Sequence, residues 1–124
     1  MTVQELYARI GGDYEAAKRV LPTDRMIAKF VLKFLDDNSC GKLFSGWENG
    51  DLAGVFDGAH AVKGVCANLG LTGLSGKASE LAEEFRPGSA RTMTDEEAAR
   101  RVDELRALYE KTIEAIRAFS AEQE

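Results

Sequence analysis

Histidine and tryptophan occur once each in the 124 residues, and cysteine and proline only twice each. Two cysteines, Cys40 and Cys66, are too few for a disulfide framework. The scarcity of proline, with 44% hydrophobic and 30% charged residues, argues against disorder and collagen-like repeats. No apolar run reaches the length of a membrane span. Positive charge is also in deficit, with 16 Lys and Arg against 21 Asp and Glu, and no basic cluster stands out. Nucleic acid is therefore not expected as a partner, and neither is a membrane. Divided at Val62, the two halves carry net charges of -2 and -3, so neither end is a charged tail. Met1 leads into Thr2, Val3 and Gln4 rather than a basic and then apolar leader. These features predict one domain over residues 1–124, reduced and cytoplasmic, with a core large enough to need no staples, working as a monomer.

The sequence that remains is helical in pattern. Thr2 and Glu5 have capping-box spacing for a short helix to Ile10, ended by Gly11-Gly12. Asp13 caps a second short segment before Pro22. Thr23 or Asp24 then opens a longer core helix whose doubled stripe is Met26, Ile27, Phe30, Val31, Phe34 and Leu35. Leu43, Phe44 and Trp47 are expected in a turn or two of helix that lids one end of the core. Asp51 caps the next helix, with Leu52, Val55, Phe56, Ala59, Val62, Cys66 and Leu69 on one face, ending at Gly70. Leu74 to Phe85 form another helix, closed by Pro87-Gly88, and Thr94 with Glu97 starts a long final one. Its last residues, Ala121 to Glu124, read as a frayed end. No segment alternates with strand period, so the fold class is all-α: an antiparallel four-helix bundle with short extra N-terminal helices.

The lone histidine, His60, falls inside the fourth of these segments. On a helical projection from Leu52 it lies near 80°, on the rim of an apolar face running from about 260° to 40°. Ala53, Gly64 and Ala67 share that rim and are all small. Glycine within a helix costs about 0.5–1 kcal/mol relative to alanine, so Gly64 needs a reason, and keeping bulk away from His60 supplies one. Lys63 follows one turn after His60, where its ammonium can pair with the oxygens of a phosphoryl group on the ring.

The run Ala59-His60-Ala61-Val62-Lys63-Gly64, followed by Ala67-Asn68-Leu69-Gly70, closely resembles the His-x-x-Lys-Gly signature of histidine-containing phosphotransfer (HPt) domains. Gly12-Asp13, Gly50-Asp51, Leu74 and the long C-terminal helix also sit where such a domain would have them. The resemblance implies an HPt-type bundle that acts as a phosphocarrier rather than an autonomous kinase. It implies that His60 exchanges a phosphoryl group with the aspartate of response-regulator receiver domains, fed by an upstream sensor kinase. Lys63 would stabilise the phosphoryl charge, and Gly64 and Ala67, joined by Ala53 from the rim, would meet the partner. No cofactor belongs to this chain, and Mg²⁺ is expected only on the partner receiver domain.

Other readings are weaker. Cys66 is six residues from His60 on another part of the helix, so no convergent metal ligands stand out. The stretch Gly73 to Ser79 lacks the first glycine and the final Ser/Thr of a phosphate loop. The reading from a different class is a helical adaptor docking a signalling partner through the same rim without chemistry. One further expectation concerns the imidazole's orientation. A hairpin turning near Leu71-Thr72 would place Glu83 level with His60, to accept a hydrogen bond from the ring, with Glu80 and Glu84 as alternatives.

Overall fold

In the computed structural model, which describes residues 1–123, the chain forms seven helices and, among the described residues, no strand. They are α1 (Val3–Ile10), α2 (Tyr14–Val20), α3 (Asp24–Phe34), α4 (Ser39–Glu48), α5 (Leu52–Asn68), α6 (Thr72–Glu84) and α7 (Asp95–Gln123). Most starts are fixed by local chemistry. Thr2 and Glu5 form a reciprocal capping box; Asp13, Thr23 and Asp51 each accept a backbone N–H in the first turn of α2, α3 and α5. Thr94 accepts from the Glu97 N–H at 3.1 Å, but the Glu97 carboxylate turns to Arg101 instead of completing a box.

The bundle consists of α4, α5, α6 and α7, each packed on the next, with α7 returning to α4. The sequence expectation that α3 is a bundle helix and α4 a short lid is therefore corrected. Helix α3 packs outside the ring, against α1, α2 and α7. Ile27, Val31 and Phe34 are buried, whereas Met26 and Phe30 are 39% and 38% exposed. The physical reason lies in α4, where two glycines and two serines among ten residues look poor for a helix, while Gly46 permits close packing. A Cβ at Gly58 would stand 2.6 Å from the Leu43 nitrogen, and one at Gly46 would stand 2.9 Å from the Val55 nitrogen. Only hydrogen fits at either place, so the α4 and α5 backbones come together. Between α3 and α4 the N–H groups of Leu35, Asp36 and Asp37 bond three residues back, at 3.0–3.2 Å, which tightens and ends α3.

The N-terminal helices hold the α5–α6 turn. The Tyr7 hydroxyl donates to the Leu69 carbonyl at 2.5 Å, and burial pushes its pKa well up. The Asp13 N–H donates to the Gly70 carbonyl at 2.7 Å. Gly70 has φ +69°, and a Cβ there would lie 2.4 Å from the Asp13 carbonyl oxygen, so glycine is required twice over. The expected frayed end is also corrected: α7 continues to Gln123, and the Met1 ammonium pairs with Glu122 at 2.7 Å. Glu124, the last residue of that expectation, lies outside the described residues.

The polar loop after α6 is organised by Glu84, which is buried. Burial alone would raise its pKa. The Thr92 hydroxyl, the Met93 N–H, the Arg91 guanidinium and the Thr92 N–H all donate to the carboxylate and together hold it down at about 2. A depressed folded-state pKa contributes stability that is complete above the ordinary value of 4.5 and is lost as pH falls towards 2. Melting temperatures measured between pH 6 and pH 2 should therefore fall more steeply for the wild type than for Glu84→Gln, which should already be destabilised at pH 6.

Candidate functional site

Helix α5 is covered on most sides, by α4 through Gly58 and by α6 through its buried Leu74 and Ala78 side. What remains open is a stripe. His60 is exposed on it, together with Ala53, Gly64 and Ala67, while Lys63 is half-buried at its edge. The structure thus brings all five of these sequence-selected residues to one surface. Leu52 joins them: expected in the core, it is instead 43% exposed at the start of α5, two turns before His60.

The imidazole is held by a residue that the sequence reading assigned to the core. Phe56, one turn before His60 and half-buried, stacks its ring on the imidazole with centroids 5.7 Å apart and planes 19° from parallel. This offset-stacked range favours a fixed ring plane while leaving the nitrogen-bearing edge free. The i,i+4 spacing was the available signal. No side chain among the described residues hydrogen-bonds either ring nitrogen.

Glu83 is not brought to His60. Its carboxylate accepts from Arg86 on the same exposed face. Glu80 pairs with Arg101 of α7, and Glu84 is committed to the loop. The reason is register: the Ser75 hydroxyl donates to the Lys63 carbonyl at 3.0 Å, so equal rise along the hairpin sets Ala78 level with His60. The turn is centred at Leu69-Gly70 rather than Leu71-Thr72, and Glu83 lies more than one helical turn beyond the ring.

Lys63, one turn after His60, has an ammonium that enters no ion pair among the described residues, and the exposed Asp57 stands one turn before His60. No group of three His, Cys, Asp or Glu side chains converges among the described residues. Cys40 and Cys66 are buried thiols whose pKa values burial raises, that of Cys40 to about 12, so neither is a ready nucleophile.

The two inner glycines of α5 have opposite surroundings. Gly58 touches the α4 backbone, whereas a Cβ at Gly64 would meet nothing within 4 Å. The fold leaves room for a side chain at Gly64, where glycine costs about 0.5–1 kcal/mol of helix stability relative to alanine. Thermal melts should show Gly58→Ala destabilised by about 1–3 kcal/mol through overpacking, and Gly64→Ala stabilised by up to about 1 kcal/mol.

A family model described as Hpt domain matches residues 31–118, from α3 through most of α7 and including the whole α5 stripe. Neither the search of curated proteins nor that of solved structures returned a match. With its exposed histidine on the second helix of an antiparallel four-helix ring, the chain belongs to the Hpt domain family, whose members carry phosphoryl groups on histidine in two-component phosphorelays.

Proposed function

We propose that His60 is the phosphoryl acceptor of this chain and that it exchanges the group with the aspartate of a response-regulator receiver domain. The observation that carries the reading is the single imidazole of the sequence, exposed on α5 and bordered by small residues inside the matched region. In the forward step a lone pair on a ring nitrogen attacks the phosphorus of an aspartyl phosphate. The N–P bond forms as the P–O bond to the carboxyl group breaks, and the electron pair leaves with the aspartate carboxylate. The N–H on the other ring nitrogen stays in place. Return to a receiver reverses these events, so the chain carries the group and needs no nucleotide of its own.

Each neighbour has a role in this reading. Phe56 limits rotation of the ring, which favours an in-line approach without demanding a carboxylate partner. Lys63 supplies a charge-assisted donor to phosphoryl oxygens. Gly64, Ala67 and Ala53 leave the surface low enough for the receiver's acidic pocket to reach the ring, and Leu52 offers it an apolar contact. Mg²⁺ belongs to that partner pocket, and an upstream sensor kinase supplies phosphoryl groups to the relay. No helix among the described residues is long and apolar enough to cross a membrane; a cytoplasmic setting, beside the receivers, fits the reading.

Incubation with radiolabelled, phosphorylated receiver domains from the same genome tests it. Label should pass to the wild type as an acid-labile phosphoramidate and be absent from His60→Gln. Lys63→Ala should transfer slowly while its stability changes by no more than about 1 kcal/mol. Label persisting in His60→Gln would remove the assignment, and an intact signalling output in that variant would favour an adaptor that docks without chemistry.

A further inference from the structure

The even charge of the two halves conceals a local excess on the surface. Residues 18–33 hold five cations, Lys18, Arg19, Arg25, Lys29 and Lys33, against the single carboxylate of Asp24, in a chain of net charge -5. Asp24 is occupied by Lys18 and by the Tyr14 hydroxyl. Arg25, Lys29 and Lys33 recur every fourth residue along α3, and none of the three enters an ion pair among the described residues. Beside this row runs the exposed apolar pair Met26 and Phe30, with the Lys29 and Lys33 ammonium groups 5.9 and 5.1 Å from the Phe30 ring centroid.

This face adjoins the α5 stripe. A groove of about 210 Å³ separates α3 from the C-terminal half of α5, lined by Phe30, Lys33, Phe34 and Asp37 on one side and Val65 and Asn68 on the other. Val65 follows Gly64 and Asn68 follows Ala67, so the groove begins where the small-residue stripe ends. A protein seated on His60 needs about 800 Å² on each partner, more than one helix stripe offers. On the α6 flank the carboxylates of Glu80 and Glu83 are already paired with Arg101 and Arg86. On the α3 flank the cations are uncommitted and the apolar surface is open.

Resting on the phosphotransfer reading above, we propose that α3 is a selectivity element. Arg25, Lys29 and Lys33, around Met26 and Phe30, admit receiver domains whose surface beside the phosphorylated aspartate presents carboxylates around an apolar patch, and disfavour receivers with a basic rim there. Opposed charge accelerates encounter and like charge penalises it, while the apolar pair fixes the seat once water is excluded. The cations stand on α3, a different helix from His60, so they act on docking and leave the chemistry at the ring alone.

The test compares wild type with Lys29→Glu/Lys33→Glu and with the milder Lys29→Gln/Lys33→Gln. Each protein is loaded at His60 with phosphoramidate, a small donor that needs no docking surface, and then mixed with a panel of receiver domains from the same genome. Loading should be equal in all three. Transfer from the Glu variant to receivers with an acidic rim should fall about tenfold or more at low salt, with the Gln variant intermediate, and the gap should close as salt rises. Receivers with a basic rim should gain from the Glu variant. Equal transfer rates at low salt would overturn the proposal. So would transfer that is unchanged while the substitutions abolish binding to phosphatidylserine vesicles or self-association, because α3 would then serve a membrane or a second copy. A wild type that neither loads with phosphoramidate nor exchanges with any receiver would remove the phosphotransfer reading itself, and this proposal with it.

Discussion

The backbone contact between α4 and α5 is the constraint on which the rest of the structure depends. Gly58 against Leu43 and Gly46 against Val55 leave no room for a Cβ, so the two helices lie closer than side chains would allow. That approach buries the far side of α5 and fixes which residues remain for its open stripe. Val55, Ala59, Val62 and Cys66 go inward as a consequence, and His60 goes outward. The α5–α6 turn sets the second coordinate. Gly70, held by Asp13 and flanked by the Tyr7 bond to Leu69, determines the register in which α6 returns. Together these contacts hold α5 as a rigid rod, which places an exposed imidazole more accurately than a loop would.

Within that frame the site spends little stability. The ring is stacked on Phe56 rather than tied into a buried polar network, and no buried side-chain polar atom is left without a hydrogen-bond partner among the described residues. Phosphoryl transfer from an activated acyl phosphate asks the receiving protein mainly for position and accessible charge. The chain offers an oriented ring, one uncommitted ammonium and a clear approach. Its ion pairs lie elsewhere, stitching α6 to α7 through Lys77–Glu104 and Glu80–Arg101, and α4 to α7 through Glu48–Arg106. Loop closure by Glu84 likewise acts at the end of α6, away from the stripe.

Much of this was legible in the sequence where the cause is local. Caps at Thr2, Asp13, Thr23, Asp51 and Thr94 depend on bonds within four residues, and each is present. His60, Ala53, Gly64 and Ala67 fall on one exposed rim because helical geometry alone puts them there. Bundle membership was not legible for α3 and α4. An apolar stripe says that a face can be buried, not that a neighbour is present, and Met26 and Phe30 have none. Conversely Gly46 lowers the helix propensity of α4 while enabling its packing, so only the partner helix reveals its purpose. Glu83 failed for a similar reason, since the hairpin register depends on a tertiary contact at Gly70 that residue spacing does not contain. Phe56 was assigned to the core because an aromatic at helical spacing serves packing and stacking equally well.

In the proposed function His60 carries a phosphoryl group on a ring nitrogen. A ¹⁵N–³¹P correlation spectrum of uniformly ¹⁵N-labelled protein, recorded after loading by a phosphorylated receiver domain, tests this most directly. One phosphorus resonance coupled to an imidazole nitrogen is expected, absent from His60→Gln. Phosphorus bound to oxygen on another side chain, or no uptake from any receiver domain of the same genome, would contradict it.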